Sequence, residues 1–444
     1  MRTLRLAGTA GLAADCIEAL SMPSPSAESI FPNLQKIALD KPSAAITPLL
    51  PHLTHPKVTT ITFCGTGALG LGFNAFGGGC PSMTNVFVWD WTDVDALSSI
   101  VCHWKNLRHV HCGNIGFNTT ALSHLSSLRN LRCMCFLAYD VVVNQLRAIR
   151  SPPRRLTFSA LHDLKLRASF LTTIWRLLRL LHIPMPHDLG IGFFIHPTTP
   201  DLMSLFVALQ EACTHTTLNR FVLYFVSRGP VPQSVEGSRP YYITFERLLP
   251  LTVFVNIKSI TLDVPWGMNL NERELLNLAS SWPHLEWLEV GERSYWTPSS
   301  GITPGGFLLL LERCRSLRVL YVAFNTRDYT DIPQGHPWRG LRMPKDACIH
   351  LLKSPIEEES IEALGVFFHV APYPDFKLFT HWEKRYFRGG IENPLELCDL
   401  YYDRWERVQS LALNNWERRR DLRRSLEARS SEFLTVMDSN MTHH

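Results

Sequence analysis

Three glycines, Gly65, Gly67 and Gly70, stand in G-x-G-x-x-G spacing in "TFCGTGALGLG", directly after the strand-like "KVTTITFC". In that spacing a strand-to-helix turn brings backbone amides against a pyrophosphate, and Asp90 further on mimics the acid that takes the ribose hydroxyl. The chemistry would be that of a nucleotide-dependent enzyme. Such a turn also needs a helix that starts within it and aims its amide dipoles at the anion. Residues 65–79 hold seven glycines, each about 1 kcal/mol worse than alanine in a helix. No stable helix is expected there, and the segment reads better as a flexible connection than as a cofactor site.

Two other clusters invite a chemical reading. In "CHWKNLRHVHC", His109 and His111 lie two apart on a strand-like stretch and so share a face, as in a metal site. Zinc wants about four convergent ligands; Cys112 falls on a core position, and Cys102 and His103 belong to the preceding helical stretch, which leaves a polar pair on a binding face. In "CMC", Cys133 reads as a core position and Cys135 as lying just past a strand. No G-x-S-x-G, H-E-x-x-H or Walker A pattern is present. The reading assigns no catalytic residue, no metal and no cofactor, and takes the protein as a non-enzyme, with the nucleotide-dependent enzyme at 65–70 as the alternative.

The elements that must position these residues come from a recurring phrase, L-x-x-L-x-L. It reads "MRTLRL" at 1, "LQKIAL" at 34, "VTTITF" at 58, "MTNVFV" at 83, "LRHVHC" at 107, "LRNLRC" at 128 and "LHDLKL" at 161. It continues as "PHDLGI" at 186, "LNRFVL" at 218, "IKSITL" at 257, "LEWLEV" at 285, "LRVLYV" at 317 and "IEALGV" at 361. Between copies lie stretches with helical apolar spacing, such as "VDALSSIVCHW", "TTALSHLSSL" and "NERELLNLASSW". One strand–helix unit cannot bury its own apolar face, whereas stacked neighbours share a core. The expected fold is an α/β solenoid of about thirteen parallel strands over residues 1–370, strands on the concave face and helices outside, then a helical C-terminal cap at 371–430 and a disordered tail at 431–444.

The segments "SWPHLEWLEVGE", "CRSLRVLYVAF", "HWKNLRHVHCGN" and "FPNLQKIAL" resemble leucine-rich-repeat proteins, in the irregular form found in the recognition part of fungal F-box proteins. The resemblance implies a repeat array that holds a substrate protein, while an N-terminal F-box docks a ubiquitin-ligase adaptor. Residues 1–30 do not look like an F-box, so an adaptor is implied only if one lies upstream.

If the three apolar positions point inward, the alternate strand positions face a partner. They are Lys36, Asp40, Thr60, Thr62, Phe87, Trp89, His109, His111, Asn130, Arg132, Asp163, Lys165, Arg167, Arg220, Tyr224, Trp287 and Glu289. The site is placed at Phe87, Trp89, His109, His111, Asn130, Arg132, Asp163, Lys165, Arg167, Arg220 and Tyr224, since aromatics and arginine dominate binding hot spots. An acidic or phosphorylated segment suits Arg132, Lys165 and Arg167. Two Pro/Gly-rich insertions, 227–240 and 325–346, add candidate binding loops, with Trp338 the best anchor.

Bulk properties agree with a protein-binding scaffold. A net charge of +4 over 444 residues is too weak to imply nucleic-acid or membrane binding. The 11 scattered cysteines fit a reducing compartment, and no apolar run reaches the ~20 residues of a membrane span. A cytoplasmic or nuclear protein is expected. The helical stretch after Pro394 should present Leu397, Tyr401, Trp405, Val408 and Leu411 on one face, and the basic run at 418–424 reads as a solvated helix face or a nuclear address.

Overall fold

Most copies of the phrase bury their three apolar residues because a strand turns alternate side chains to one face and the residue before it closes the entry turn. In the computed structural model Leu34, Ile37 and Leu39 are 0–1% exposed, and so are Val58, Ile61 and Phe63. Full burial of side chains of this size contributes about 1.5–3 kcal/mol each. The structure describes residues 2–7, 31–41, 49–65, 75–149, 155–195, 199–226, 242–264, 266–291, 301–326, 341, 344, 347–352, 354–369, 377–380, 382 and 395–441. The chain divides into two units, Met1–Ser227 with Arg247–Ile257, and Arg228–Glu246 with Lys258–His444.

In the first unit the strands are β1 (Thr3–Ala7), β2 (Lys36–Asp40), β3 (Thr60–Cys64), β4 (Asn85–Trp89), β5 (His109–Cys112) and β6 (Cys133–Ala138), followed by β7 (Leu156–Thr157), β8 (Asp163–Ala168), β9 (Leu181–His182), β10 (Asp188–Phe193) and β11 (Arg220–Phe225). They pair in parallel in the order β1-β2-β3-β4-β5-β6-β8-β10-β11, while β7 and β9 form a separate short ribbon. One carbonyl before each strand takes two amides from the next: Thr59 O accepts from Thr84 and Asn85 at 2.8 and 2.9 Å, and Thr84 O from Arg108 and His109 at 2.7 and 3.1 Å. Register is thereby locked without any side chain.

Helices return the chain between strands. Asp93 caps the helix Val94–Val101 through the Ala96 amide, and Asn118 caps Thr119–Ser127 through that of Ala121. Such caps contribute about 1 kcal/mol. Asn118 also donates to Asp95 of the preceding helix at 3.0 Å, and Thr173 of helix Leu171–Leu178 donates to Asp140 of helix Asp140–Ile149 at 2.8 Å.

The second unit holds β12 (Tyr242–Thr244), β13 (Ser259–Asp263), β14 (Gly267–Asn269), β15 (Trp287–Val290), β16 (Val319–Tyr321), β17 (Cys348–His350) and β18 (Lys377–Phe379). Its main strands pair in parallel in the order β13-β15-β16-β17-β18, and β12 pairs with β14. Asn271 and Glu274 form a capping box on helix Glu272–Ser280. The long helix Leu395–Met441 lies on helix Ile361–His369: Trp405 and Val408 are fully buried, and Trp405 and Trp382 both donate to the Ser354 carbonyl, at 2.9 and 2.8 Å. Arg404 pairs with Glu357 and Glu358. These strand–helix repeats in parallel order fit a leucine-rich-repeat-like array.

Four sequence expectations are corrected. "IEALGV" at 361 is read as a strand, but Ile361–His369 is a helix, because Ile361, Leu364, Gly365 and Phe368 serve a helix face as well as they fit the phrase. Strands β17 and β18 are not anticipated, and β18 falls inside the segment read as a helical cap. The C-terminal helix continues to Met441, into the stretch 431–444 read as disordered. A short helix, Ala75–Gly79, does form among the glycines: Phe76 is fully buried and its carbonyl accepts from Trp104 Nε1 at 3.3 Å, so packing supplies what propensity withholds. Residues 66–74, which include Gly67 and Gly70, the insertion 227–240 and Trp338 lie outside the described residues.

Candidate functional site

The register fixes which residues share the open face of the first unit, the face turned away from the buried apolar side chains. One row runs Lys36, Thr60, Asn85, His109, Cys133, Asp163, Asp188, Arg220, and the next Ala38, Thr62, Phe87, His111, Cys135, Lys165, Gly190, Val222. A third carries Asp40, Cys64 and Trp89 on the early strands and Leu137, Arg167, Gly192 and Tyr224 on the later ones. Phe87, Trp89, His109, His111, Asp163, Lys165, Arg167, Arg220 and Tyr224 all stand on this face, as read from the sequence.

Asn130 and Arg132 do not. Cys133 pairs with His109 and Met134 with Val110, so the repeat here is Leu131, Met134, Phe136 rather than Leu128, Leu131, Cys133. Asn130 lies exposed in the entry turn, and Arg132 precedes the strand in the column of carbonyls that receive the next strand, accepting from His162 and Asp163 at 2.8 and 2.9 Å. Two leucines three residues apart satisfy the phrase in either frame. The face positions are Cys133 and Cys135, which the sequence reading places in the core and beyond the strand.

The centre of the face is built around one arginine. Arg167 donates through Nε to the Tyr224 hydroxyl at 2.9 Å and through Nη1 to the Gly113 carbonyl at 3.2 Å, and its guanidinium lies 5.9 Å from the Tyr224 ring centroid. Tyr224 lies over Gly192, where a Cβ would meet its ring at 2.7 Å, and Trp89 covers Gly113 at the same distance. Gly192 makes room for the tyrosine that holds the arginine, and Gly113 makes room for Trp89. Trp89 also packs on His111, ring centroids 4.5 Å apart, and Phe87 stands 6.4 Å from the same imidazole. Trp89 is 36% exposed, an indole presented to solvent on a rigid strand.

Burial, then the positive charges of Lys165 and Arg167, holds the His111 pKa below its ordinary value. Burial and Asp163 raise that of Asp188, against the opposing pull of Arg220, Lys165 and His187. A polar ladder continues along the first row: Asn85 donates to Thr60 at 3.1 Å and accepts from His109 Nδ1 at 2.6 Å, which makes Nδ1 the protonated nitrogen. Cys133 donates its S–H to Asp163 at 3.0 Å; burial first, and this bond second, push its thiol up to about 12. A thiol held protonated at neutral pH is no nucleophile. Among the described residues, no group of three or more His, Cys, Asp and Glu side chains is disposed to hold a metal ion.

Gly65 has a local explanation. Its φ is +108°, and the residues that end β2 and β4 in the same way, Lys41 and Asp90, have φ of 47° and 57°. A left-handed exit recurs after successive strands, and glycine adopts it without strain. Asp90 accepts from Asn114 at 2.9 Å.

On the open face of the second unit, Trp287, Tyr321, His350 and Phe379 form a column of rings. Trp287 and Tyr321 are stacked with centroids 6.3 Å apart, Tyr321 and His350 are 3.8 Å apart at 3°, and His350 and Phe379 are 4.7 Å apart at 15°. Tyr321, His350 and Phe379 escape the sequence reading; the copy "LRVLYV" marks Tyr321 as alternate to its core positions, and the strands of the other two are not anticipated. No helix among the described residues is long and apolar enough to cross a membrane.

No protein-family model matches the chain, and no curated protein matches it. Among solved structures, the plant peptide hormone receptor RGFR1 in complex with RGF2 is similar over 86% of this chain and 79% of that chain, at 11% identity and a TM-score of 0.20, and this likeness carries no argument.

Proposed function

We propose that the protein is a non-catalytic binding scaffold whose first unit holds an acidic or phosphorylated segment of a partner protein on its open face. The observation that carries this reading is Arg167, clamped by Tyr224 and Gly113 in the register of the Trp89–His111 strands and preceded two residues earlier on its strand by exposed Lys165. A guanidinium already held in place loses little entropy when it binds an anion, and a rigid exposed indole supplies apolar contact. The test is a degenerate phosphoserine peptide library, with its unphosphorylated twin, titrated against the full chain. Phosphopeptide binding should fall about tenfold in Arg167→Gln, the size of one lost charge-assisted contact. Equal binding of both libraries, or no loss in the variant, removes the reading.

The finer reading is the substrate-recognition part of an F-box-type ubiquitin-ligase subunit, a curved solenoid closed at one end by helix Leu395–Met441. Its support is the resemblance of the repeat segments, and an adaptor is a partner only where an F-box precedes residue 1. Co-purification of a ligase adaptor with a chain extended upstream tests it. The protein acts in the cytoplasm or nucleus and needs no cofactor. The rival reading, a nucleotide-dependent enzyme at 65–70, is opposed by the backbone role of Gly65, and absence of saturable ATP or NAD binding would remove it.

A further inference from the structure

We propose that the phosphorylated residue held by the first unit is a phosphotyrosine, its ring against Trp89 and its phosphate against Arg167, Tyr224 and Lys165; this rests on the binding reading above and narrows it to one ligand class. Trp89 and Arg167 come from β4 and β8, yet they meet on one residue. Arg167 Nη1 donates to the Gly113 carbonyl at 3.2 Å, and the Trp89 ring fills the space where a Gly113 Cβ would stand. An aromatic surface and a guanidinium edge are thus joined through a single glycine, a span that one side chain can bridge.

The donors of the phosphate seat come from β8 and β11. Arg167 gives its Nε hydrogen to the Tyr224 hydroxyl and an Nη1 hydrogen to Gly113, and a guanidinium carries more N–H groups than these bonds use. Tyr224 takes part in its bond as acceptor, so its own O–H is not consumed by it. Lys165 stands on the same face of β8, is exposed, and lays its stem over Gly190, where a Cβ would come within 3.2 Å of Lys165 Cγ.

The face as a whole carries both signs of charge, and their places matter. Asp163, Asp188 and Arg220 stand together in the first row, two rows from Arg167. Asp40, paired with Arg5 at 3.9 Å, lies on β2, on the far side of Trp89 from Arg167, and Asp90 accepts from Asn114. Around Lys165 and Arg167 the field is positive: burial first, and then these two charges, disfavour protonation of His111, the ring on which Trp89 packs.

The chemistry selects an aryl phosphate. A phosphoserine carries its phosphate close to its own backbone and leaves Trp89 uncovered, whereas a phosphotyrosine carries it at the end of a rigid ring that stacks at small entropic cost. A phosphate brings about −1.5 to −2 charge and several acceptor oxygens, which suits donors arriving from two strands better than a single carboxylate does.

The experiment is calorimetric titration of the full chain with degenerate phosphotyrosine, phosphoserine and unphosphorylated tyrosine peptide libraries of the same flanking composition. The phosphotyrosine library should bind about fivefold more tightly than the phosphoserine one, the gain expected of one aromatic contact, and at least about tenfold more tightly than the unphosphorylated one. Trp89→Leu should lower phosphotyrosine binding by about fivefold and phosphoserine binding by less than about twofold, whereas Arg167→Gln should lower both alike. The preference between the libraries is read on the unaltered chain, so it does not depend on how any variant folds. Equal binding of the two phosphorylated libraries, or full phosphotyrosine binding by Trp89→Leu, overturns the inference while a shared loss in Arg167→Gln keeps the broader reading; binding of neither library overturns both.

Discussion

The two open faces stand on the same kind of parallel ladder and present different side chains. In the first unit Lys165 and Arg167 stand on one strand, with Arg167 fixed by Tyr224 and the Gly113 carbonyl. In the second, Glu289 stands between Trp287 and Thr261, beside a column of stacked rings. The ladder explains how both are possible. Its hydrogen bonds run from backbone to backbone, and its inward positions are filled by apolar side chains in either unit. The outward positions do not make the ladder's hydrogen bonds, so different side chains can stand there in each unit.

That contrast is open to direct attack. The largest effect is expected in the core, where the two units should behave alike: Leu164→Ala and Leu288→Ala, at 1% and 2% exposure, should each cost about 2–5 kcal/mol in urea unfolding. A negligible cost at either site would break the claim of a common ladder. Next comes Gly192→Val, whose added atoms collide with the Tyr224 ring. It should cost about 1–3 kcal/mol and release Arg167, lowering phosphopeptide binding by no more than the roughly tenfold expected of Arg167→Gln.

Truncating the exposed indoles should matter less to folding than truncating the core. Trp89→Ala and Trp287→Ala, each removing an indole packed on its neighbours, should each cost about 1–3 kcal/mol, while only Trp89→Ala lowers phosphopeptide binding. Loss of that binding in Trp287→Ala would show that the faces are not separable.

The smallest effects are in the pH dependence. The folded-state pKa of His111 lies below its unfolded value, so the unfolded chain protonates first as the pH falls, and stability is lost downward from about pH 6.5, the ordinary histidine value. His111→Gln should flatten that arm of the stability profile. Asp188 is the reverse case: its raised pKa gives stability that is present below the unfolded pKa and lost as the pH rises through the folded one. Asp188→Asn should accordingly stabilise the protein at neutral pH, by less than about 1 kcal/mol for a part-exposed group.

Much of this molecule is legible before any coordinates. The phrases at 34, 58, 83 and 107 mark β2 to β5 and their inward residues, and from them the face positions Phe87, Trp89, His109 and His111 follow by alternation alone. The reading fails where one pattern admits two solutions. Leu128 and Leu131 allow two frames, and choosing the first displaces Asn130 and Arg132 onto a face they do not occupy and hides Cys133 and Cys135. Ile361 and Leu364 fit strand and helix equally, and contact with the C-terminal helix, where Gly365 meets Leu411, goes with the helix.

What the sequence determined by itself is the strand–helix alternation and the inward set of the copies with a single possible frame, because burial of apolar side chains imposes the same demand on each of them. Only the tertiary structure decided the frame at β6, the pairing of Arg167 with Tyr224 and Gly113, and the joining of Trp287, Tyr321, His350 and Phe379 into one column. Those residues are 20 or more positions apart in most pairs, and it is the lateral register between strands, set by backbone hydrogen bonds to the preceding repeat, that makes them neighbours.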